Sequence, residues 1–183
     1  MRRAVRDFIG AAGLDLSDPN LRETPQRVAR AWIEDFLDGY RTTPEEALGE
    51  TYPAPEGGGR ELVVITGLEF HSMCPHHLLP YQGTAHVAYL PGERVAGFGR
   101  IAALVDCFAH RLVLQEELAR QIARSLVAVL GAGGAACLLE AEHACMRVRG
   151  GTQAAARAHS EAYEGALKGD GDLRRELWAR IPR

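Results

Sequence analysis

The chain has 183 residues, a formal net charge of −3 and 46% apolar residues, enough for one domain with a proper core and a small appendage. This balance, with a pI near 6.2, argues against holding nucleic acid or an anionic membrane by bulk charge, and leaves room for a local arginine cluster facing a small anion. No apolar run approaches the roughly 18 residues of a membrane helix. The basic start Met1-Arg2-Arg3-Ala4-Val5-Arg6-Asp7 leads into no signal-peptide core, so a cytoplasmic protein is expected. The four cysteines, in a chain of this size without an export signal, read as thiols rather than disulfides.

Residues 2–12 predict a weak helix that Gly10 and Gly13 do not help. Thr24 as N-cap and Pro25 at the first helical position open a second helix. Its apolar stripe is Ala29, Trp32, Ile33, Phe36 and Leu37, and Gly39 stops it. Arg27 and Arg30 lie off that stripe and by themselves read as solvated surface arginines. Residues 42–60, with Pro44, Pro53, Pro55 and Gly57-Gly58-Gly59, predict a connector that is loop apart from a short turn at 45–48. The expected division is therefore a helical extension and linker over 1–60 and the main domain over 61–183.

Leu62-Val63-Val64-Ile65 predicts a strand running on towards Phe70 and delivering a turn at Cys74. Thr84 to Leu90 predicts the next strand, with His86 half-buried on it, and Pro91-Gly92 a turn. Two helices follow. The first starts near residue 100 and buries Ile101, Leu104, Val105 and Phe108; the second covers about 115–130 and buries Leu118, Ile122, Leu126 and Val129. Gly131-Ala132-Gly133-Gly134 ends the second. A strand over 135–149, an extended stretch around 157–163 and a helix over about 173–179 complete the chain. Cys107 in a helical run and Cys137 in a strand run read as buried thiols. The order predicts an α+β fold, helices segregated from an antiparallel sheet.

Chemistry concentrates in Cys74-Pro75-His76-His77 and, far downstream, Glu142-His143-Ala144-Cys145. Cys74 and His77 are close enough for one turn to aim both at a single ion, and folding would bring in Cys145. Two sulfurs and one imidazole suit zinc, and three protein ligands leave a tetrahedral position open for water, as a metal hydrolase needs. His76 and His143 sit beside these ligands, where proton-transfer groups are wanted. Strand alternation over 135–149 would put His143, Cys145, Arg147 and Arg149 on one face. A ligand, a proton-transfer group and two arginines would then suit an anionic substrate.

These residues resemble the GTP cyclohydrolase I family over about residues 24–150. The anchors are Ser72-Met73-Cys74-Pro75-His76-His77-Leu78-Leu79-Pro80, Ala85-His86-Val87-Ala88-Tyr89-Leu90-Pro91, Val105-Asp106-Cys107-Phe108-Ala109, Gln115-Glu116 and Glu140-Ala141-Glu142-His143-Ala144-Cys145-Met146. The resemblance implies a tunnelling fold, with two helices inserted between the second and third strands of a four-stranded antiparallel sheet. It implies a homodecamer of two pentameric rings with active sites at subunit boundaries. The implied reaction opens the guanine imidazole ring of GTP at C8, expels formate and closes a pterin ring, giving dihydroneopterin triphosphate. By position, Cys74, His77 and Cys145 match the Zn2+ ligands, and His76 and His143 the acid–base pair. Glu116, with Gln115 beside it, matches the carboxylate receiving the guanine edge. Arg149, Arg27, Arg30 and Arg100 match the triphosphate grip, Arg100 standing where the family usually has lysine.

Gly99 and Ala103 stand where the family carries a hydroxyl and an arginine of the phosphate grip, and 154–161 lacks the usual serines and threonines. Arg157 and His159 are candidates to compensate. Losing one charged phosphate contact costs roughly 1.5–3 kcal/mol, about tenfold to a hundredfold in affinity. Three other readings therefore stand beside the first. One is a divergent paralogue acting on a modified or less phosphorylated guanine. Another is a non-catalytic ring protein stabilised by zinc, in which changing His76 or His143 would leave any activity intact. The last is a tunnelling-fold nitrile reductase, which needs a nicotinamide-cofactor signature that the sequence lacks.

Overall fold

A computed structural model describes residues 1–55, 61–148, 153 and 155–181. The chain forms two compact units, Met1–Asp38 and Gly39–Arg183. In the first, α1 (Arg2–Ala11) buries Ile9 and α2 (Thr24–Ala31) buries Pro25 and Ala29. Glu23 rather than Thr24 occupies the cap position of α2, and the Thr24 hydroxyl donates back to the Asn20 carbonyl at 3.3 Å. The apolar stripe outlasts the α-helix. It continues in a π-helical turn, Trp32–Phe36, where the Trp32 and Phe36 rings meet edge-on at 5.9 Å.

The second unit runs α3 (Pro44–Leu48), β1 (Thr51–Pro53), β2 (Val63–Met73), β3 (Pro80–Leu90), β4 (Arg94–Ala96), α4 (Phe98–Ala109), α5 (Gln115–Ala128), β5 (Gly134–His143), α6 (Ala144–Arg147), β6 (Ala158–Gly165), α7 (Ala166–Gly169) and α8 (Gly171–Arg180). β1 and β4 form a small antiparallel ribbon. The main sheet is antiparallel with order β2-β3-β5-β6, and α4 and α5 leave it between its second and third strands. This is the expected tunnelling-fold arrangement. Among the described residues no helix is long and apolar enough to cross a membrane.

One sheet face carries Phe70, Tyr81, Ala85, Val87, Tyr89, Cys137 and Leu139, which close over Ile101 and Leu104 of α4 and Leu118, Ile122 and Leu126 of α5. The helical stripes and the strand alternation face each other, so the core forms without a buried charge. On the other face, α7 and α8 cover one end by setting Leu167 and Leu177 against Leu62, Ala88, Leu90, Ala136 and Leu138. The rest of that face is polar. Glu69, Gln82, Thr84, Glu140, Glu142 and Arg157 border a cavity of about 660 Å³ there.

Close strand packing depends on Gly83, where a Cβ would stand 1.9 Å from the Glu140 carbonyl oxygen. Gly67, at φ 76°, makes the register shift between Ile65 and Leu68 in β2, a bulge that glycine permits at no steric cost.

Part of the expected connector is built into the second unit. Arg111 donates from Nε to the carbonyls of Gly39 (3.1 Å) and Cys107 (2.6 Å), and from Nη2 to that of Thr42 (3.0 Å). Thr43 and Glu46 form a reciprocal capping box that starts α3. β1 and β4 were not expected, because three-residue strands leave no periodicity to read.

The expected strand over 135–149 is also corrected: β5 ends at His143 and a helical turn, α6, follows. Its neighbour explains why. The last β3–β5 pair is Tyr81 with His143, and β3 begins at Pro80, which has no N–H to extend the ladder. On the other side, β6 first pairs at Ala158 with Ala141. With no strand partner on either side among the described residues, the chain closes its own hydrogen bonds, and Val148 N donates to the Ala144 carbonyl at 2.9 Å.

Candidate active site

β2 and β5 run in the same direction with β3 between them, so their C-terminal ends emerge at one sheet edge. Ser72, Tyr81 and His143 form a row across the three strands at that edge. Cys74 lies two residues beyond Ser72, and Cys145 two beyond His143. The topology thus delivers both cysteines to one edge, two strand spacings apart, or roughly 9–10 Å between the strand axes.

Cys74 is buried, and its amide and carbonyl brace the following turn: Cys74 N donates to the Leu79 carbonyl and Leu78 N to the Cys74 carbonyl, both at 2.9 Å. Leu78 takes φ 52°, an uncommon conformation for a non-glycine residue. His76 and His77 stand exposed on this turn, with ring centroids 6.3 Å apart. Among the described residues no three of His, Cys, Asp and Glu converge closely enough to hold a metal ion. The donor chemistry of Cys74, His77 and Cys145 suits zinc and the edge is shared, but the side chains are not drawn into a ligand set.

His143 is the most closely held member of the site. Gln115, only 3% exposed, donates from Nε2 to the Leu139 carbonyl at 3.2 Å and the Ala158 carbonyl at 2.9 Å. Those two acceptors fix the amide, so its Oε1 is the atom 2.7 Å from His143 Nε2. An amide oxygen only accepts, hence Nε2 carries the hydrogen and a neutral ring presents Nδ1 as its acceptor. Burial lowers the His143 pKa from its ordinary value, and the Glu116 carboxylate opposes that shift in part.

On its flat side the His143 ring stacks on Tyr81, with centroids 4.7 Å apart and planes 5° from parallel. The Tyr81 hydroxyl donates to the Val113 carbonyl at 3.0 Å. Burial raises the Tyr81 pKa well above its ordinary value, and the Cys74 and Glu116 charges add to that rise. Glu116 therefore lies within electrostatic reach of both rings, at the exposed first turn of α5.

Cys145 is half-buried in α6. Because β5 has ended, alternation does not align it or Arg147 with His143. Arg147 pairs instead with Glu142. Arg100 is exposed on the first turn of α4, its guanidinium over Gly49, where a Cβ would come within 3.1 Å of Cζ. Arg157 bridges Glu140 at 2.5 Å and Glu142 at 3.2 Å on the polar sheet face. Arg27 and Arg30 lie on α2 in the first unit, paired with Glu23 at 2.6 Å and Glu34 at 2.9 Å along their own chain. Arg149 lies outside the described residues.

Tyr81 escaped the sequence reading. Its signal was its place next to the Pro80 that starts β3, but the pairing with His143 appears only once the register is known.

A four-stranded antiparallel sheet interrupted by two helices, with histidines and cysteines gathered at one edge, defines a tunnelling-fold protein with a candidate hydrolytic centre. The GTP cyclohydrolase I family model matches residues 1–182. GTP cyclohydrolase 1 of Chromobacterium violaceum is 44% identical over 181 residues, covering 99% of this chain and 86% of that one. The protein of the same name from Leifsonia xyli subsp. xyli is 46% identical over 162 residues, covering 88% and 84%. A crystal structure of the archaeosine synthase QueF-Like in the apo form aligns with a TM-score of 0.48 and 19% identity, covering 58% of this chain and 95% of that chain. The chain belongs to the GTP cyclohydrolase I family.

Proposed function

We propose that this chain is a zinc-dependent GTP cyclohydrolase I-type enzyme that hydrolyses the guanine imidazole ring of GTP at C8. It releases formate and forms 7,8-dihydroneopterin triphosphate. The observation that carries this reading is His143, half-buried and fixed in one tautomer beside Glu116, at the edge that also receives Cys74, His76, His77 and Cys145. Family membership supports it.

Cys74, His77 and Cys145 are the proposed zinc ligands. Zinc, when bound, supplies Lewis acidity that brings the pKa of a water ligand to about 7. Glu116 accepts the N–H groups of the guanine edge. His143 takes and returns a proton at Nδ1 as the bonds from C8 to the ring nitrogens break, and His76 on the exposed turn serves the second transfer. Gln115 acts through His143 rather than on the substrate, since both ends of its amide are engaged within the chain. Arg100, Arg149, Arg27 and Arg30 are assigned to the triphosphate, several of them supplied by a neighbouring subunit. A homodecamer of two five-membered rings fits a sheet whose outer strands, β2 and β6, each have one partner within the chain.

A second reading is favoured by one observation. Arg157, a candidate to replace the missing phosphate contacts, is committed to Glu140 and Glu142. A paralogue turning over a less phosphorylated or modified guanine would need fewer such contacts. Incubating the purified, zinc-loaded protein with GTP separates the two. Stoichiometric formate and a product that fluoresces after oxidation support the first reading. Turnover of guanosine or its monophosphate without turnover of GTP overturns it.

A further inference from the structure

We infer that Tyr81 is a positioning residue for the reaction. Its ring is the platform that fixes the plane of His143, so that Nδ1 stays aimed at the substrate while Gln115 holds Nε2. The inference rests on the catalytic reading of His143 given above.

Three observations carry it. Tyr81 and His143 are direct cross-strand partners, the closest side-chain relation a sheet offers. Their rings lie 4.7 Å apart and 5° from parallel, so contact is face to face rather than an incidental edge. Tyr81 is 1% exposed and anchored twice. Its hydroxyl donates to the Val113 carbonyl at 3.0 Å, and its ring meets Phe70 edge-on at 6.0 Å. The platform cannot rotate away without breaking a buried hydrogen bond.

The hydrogen bond that His143 Nε2 donates to Gln115 Oε1 fixes one point of the imidazole and leaves rotation about that axis open. The stacked face removes that rotation. Two constraints of different kind define the ring completely, and they do so at a strand terminus where the ladder no longer helps. The aromatic face also suits a group that gains and loses a proton. A neutral imidazole stacks on it, and an imidazolium is attracted to the same face by the ring quadrupole. The platform therefore holds His143 through both halves of a proton-transfer cycle. Misplacement of a reacting group by about 1 Å costs on the order of a hundredfold in rate.

The test uses the zinc-loaded full-length protein with GTP. Tyr81→Phe keeps the face and should retain kcat near wild type. Tyr81→Leu and Tyr81→Met fill the space without a planar face and should lower kcat by about tenfold to a hundredfold, with KM for GTP nearly unchanged. If Tyr81→Leu does not fold, Tyr81→Met carries the comparison. In a His143→Ala background the same changes should cost nothing further. An equal loss in both backgrounds, a Tyr81→Phe variant as impaired as Tyr81→Leu, or a Tyr81→Met variant with wild-type kcat overturns the inference. If His143→Ala alone retains full activity, it is the catalytic reading of His143 that fails.

Discussion

Gln115 commits both ends of its amide inside the chain, the nitrogen to two carbonyls and the oxygen to His143. In the sequence it stands beside Glu116 and invites the reading of a second substrate contact. Only burial and bond direction show that its amide oxygen is taken up by the histidine. Replacing it by leucine removes the acceptor of the Nε2 hydrogen and leaves buried carbonyls unmatched. Gln115→Leu should therefore lower kcat with GTP more than it raises KM, by about ten- to a hundredfold, as steady-state kinetics will show. His143→Ala removes the proton carrier itself and should cost about a hundredfold to ten-thousandfold in kcat. Cys145→Ser tests a different function: bound zinc per chain, measured by elemental analysis, should fall well below the wild-type value. Zinc retained in full by that variant would remove Cys145 from the ligand set. The residue types at Cys74, His77, His143 and Cys145 were legible because few other combinations offer soft donors beside proton carriers. Which nitrogen of His143 carries the hydrogen was not, because a tautomer is set by a partner distant in sequence.

At the scale of elements, the strand and helix periods were readable wherever one face is buried. The stripes expected in α4 and α5 fill the core, except that Val129, just past the end of α5, is only half-buried against it. Boundaries failed where a neighbour decides them. β5 stops at His143 because β3 begins at Pro80, a fact about the adjacent strand that no alternation within residues 135–149 contains. The same dependence makes Gly83 critical, since its Cα faces the Glu140 carbonyl across the ladder. Gly83→Ala should destabilise the fold by about 1–3 kcal/mol through overpacking, read as a lowered midpoint in urea unfolding. An unchanged midpoint would mean that β3 and β5 are not held as closely as their register implies.

At the scale of the whole molecule, charge is arranged by tertiary contact rather than by composition. The hydrogen bond from Arg157 holds the Glu140 carboxyl below the usual carboxylate range, aided by the charges of His159 and His86 and opposed by desolvation. A carboxyl whose pKa is depressed by folding stabilises the fold above its unfolded pKa, and this contribution is lost as pH falls through the folded value. The pair is partly exposed, so its worth is at most about 1 kcal/mol. Arg157→Gln should therefore lower stability at neutral pH by up to about 1 kcal/mol, leave it unchanged where Glu140 is protonated, and so flatten the acid limb of a plot of Tm against pH. An acid limb as steep as wild type would sink that assignment. Assembly is decided at this scale too. Light scattering of the purified protein should give ten times the mass of one chain, and a monomer at micromolar concentration would count against the ring.

By itself the sequence determined the fold class and the family, and it named residues whose donor chemistry suits zinc and proton transfer. Local periodicity reports burial, and residue type reports donor chemistry. Only the tertiary structure decided where β5 ends, that Arg111 ties residues 39–42 into the second unit, that Arg157 is engaged by two carboxylates, and that Tyr81 and Gln115 hold His143. Each of these is a contact between positions far apart in the chain, and such contacts come into being only when strand register and helix docking bring the partners together.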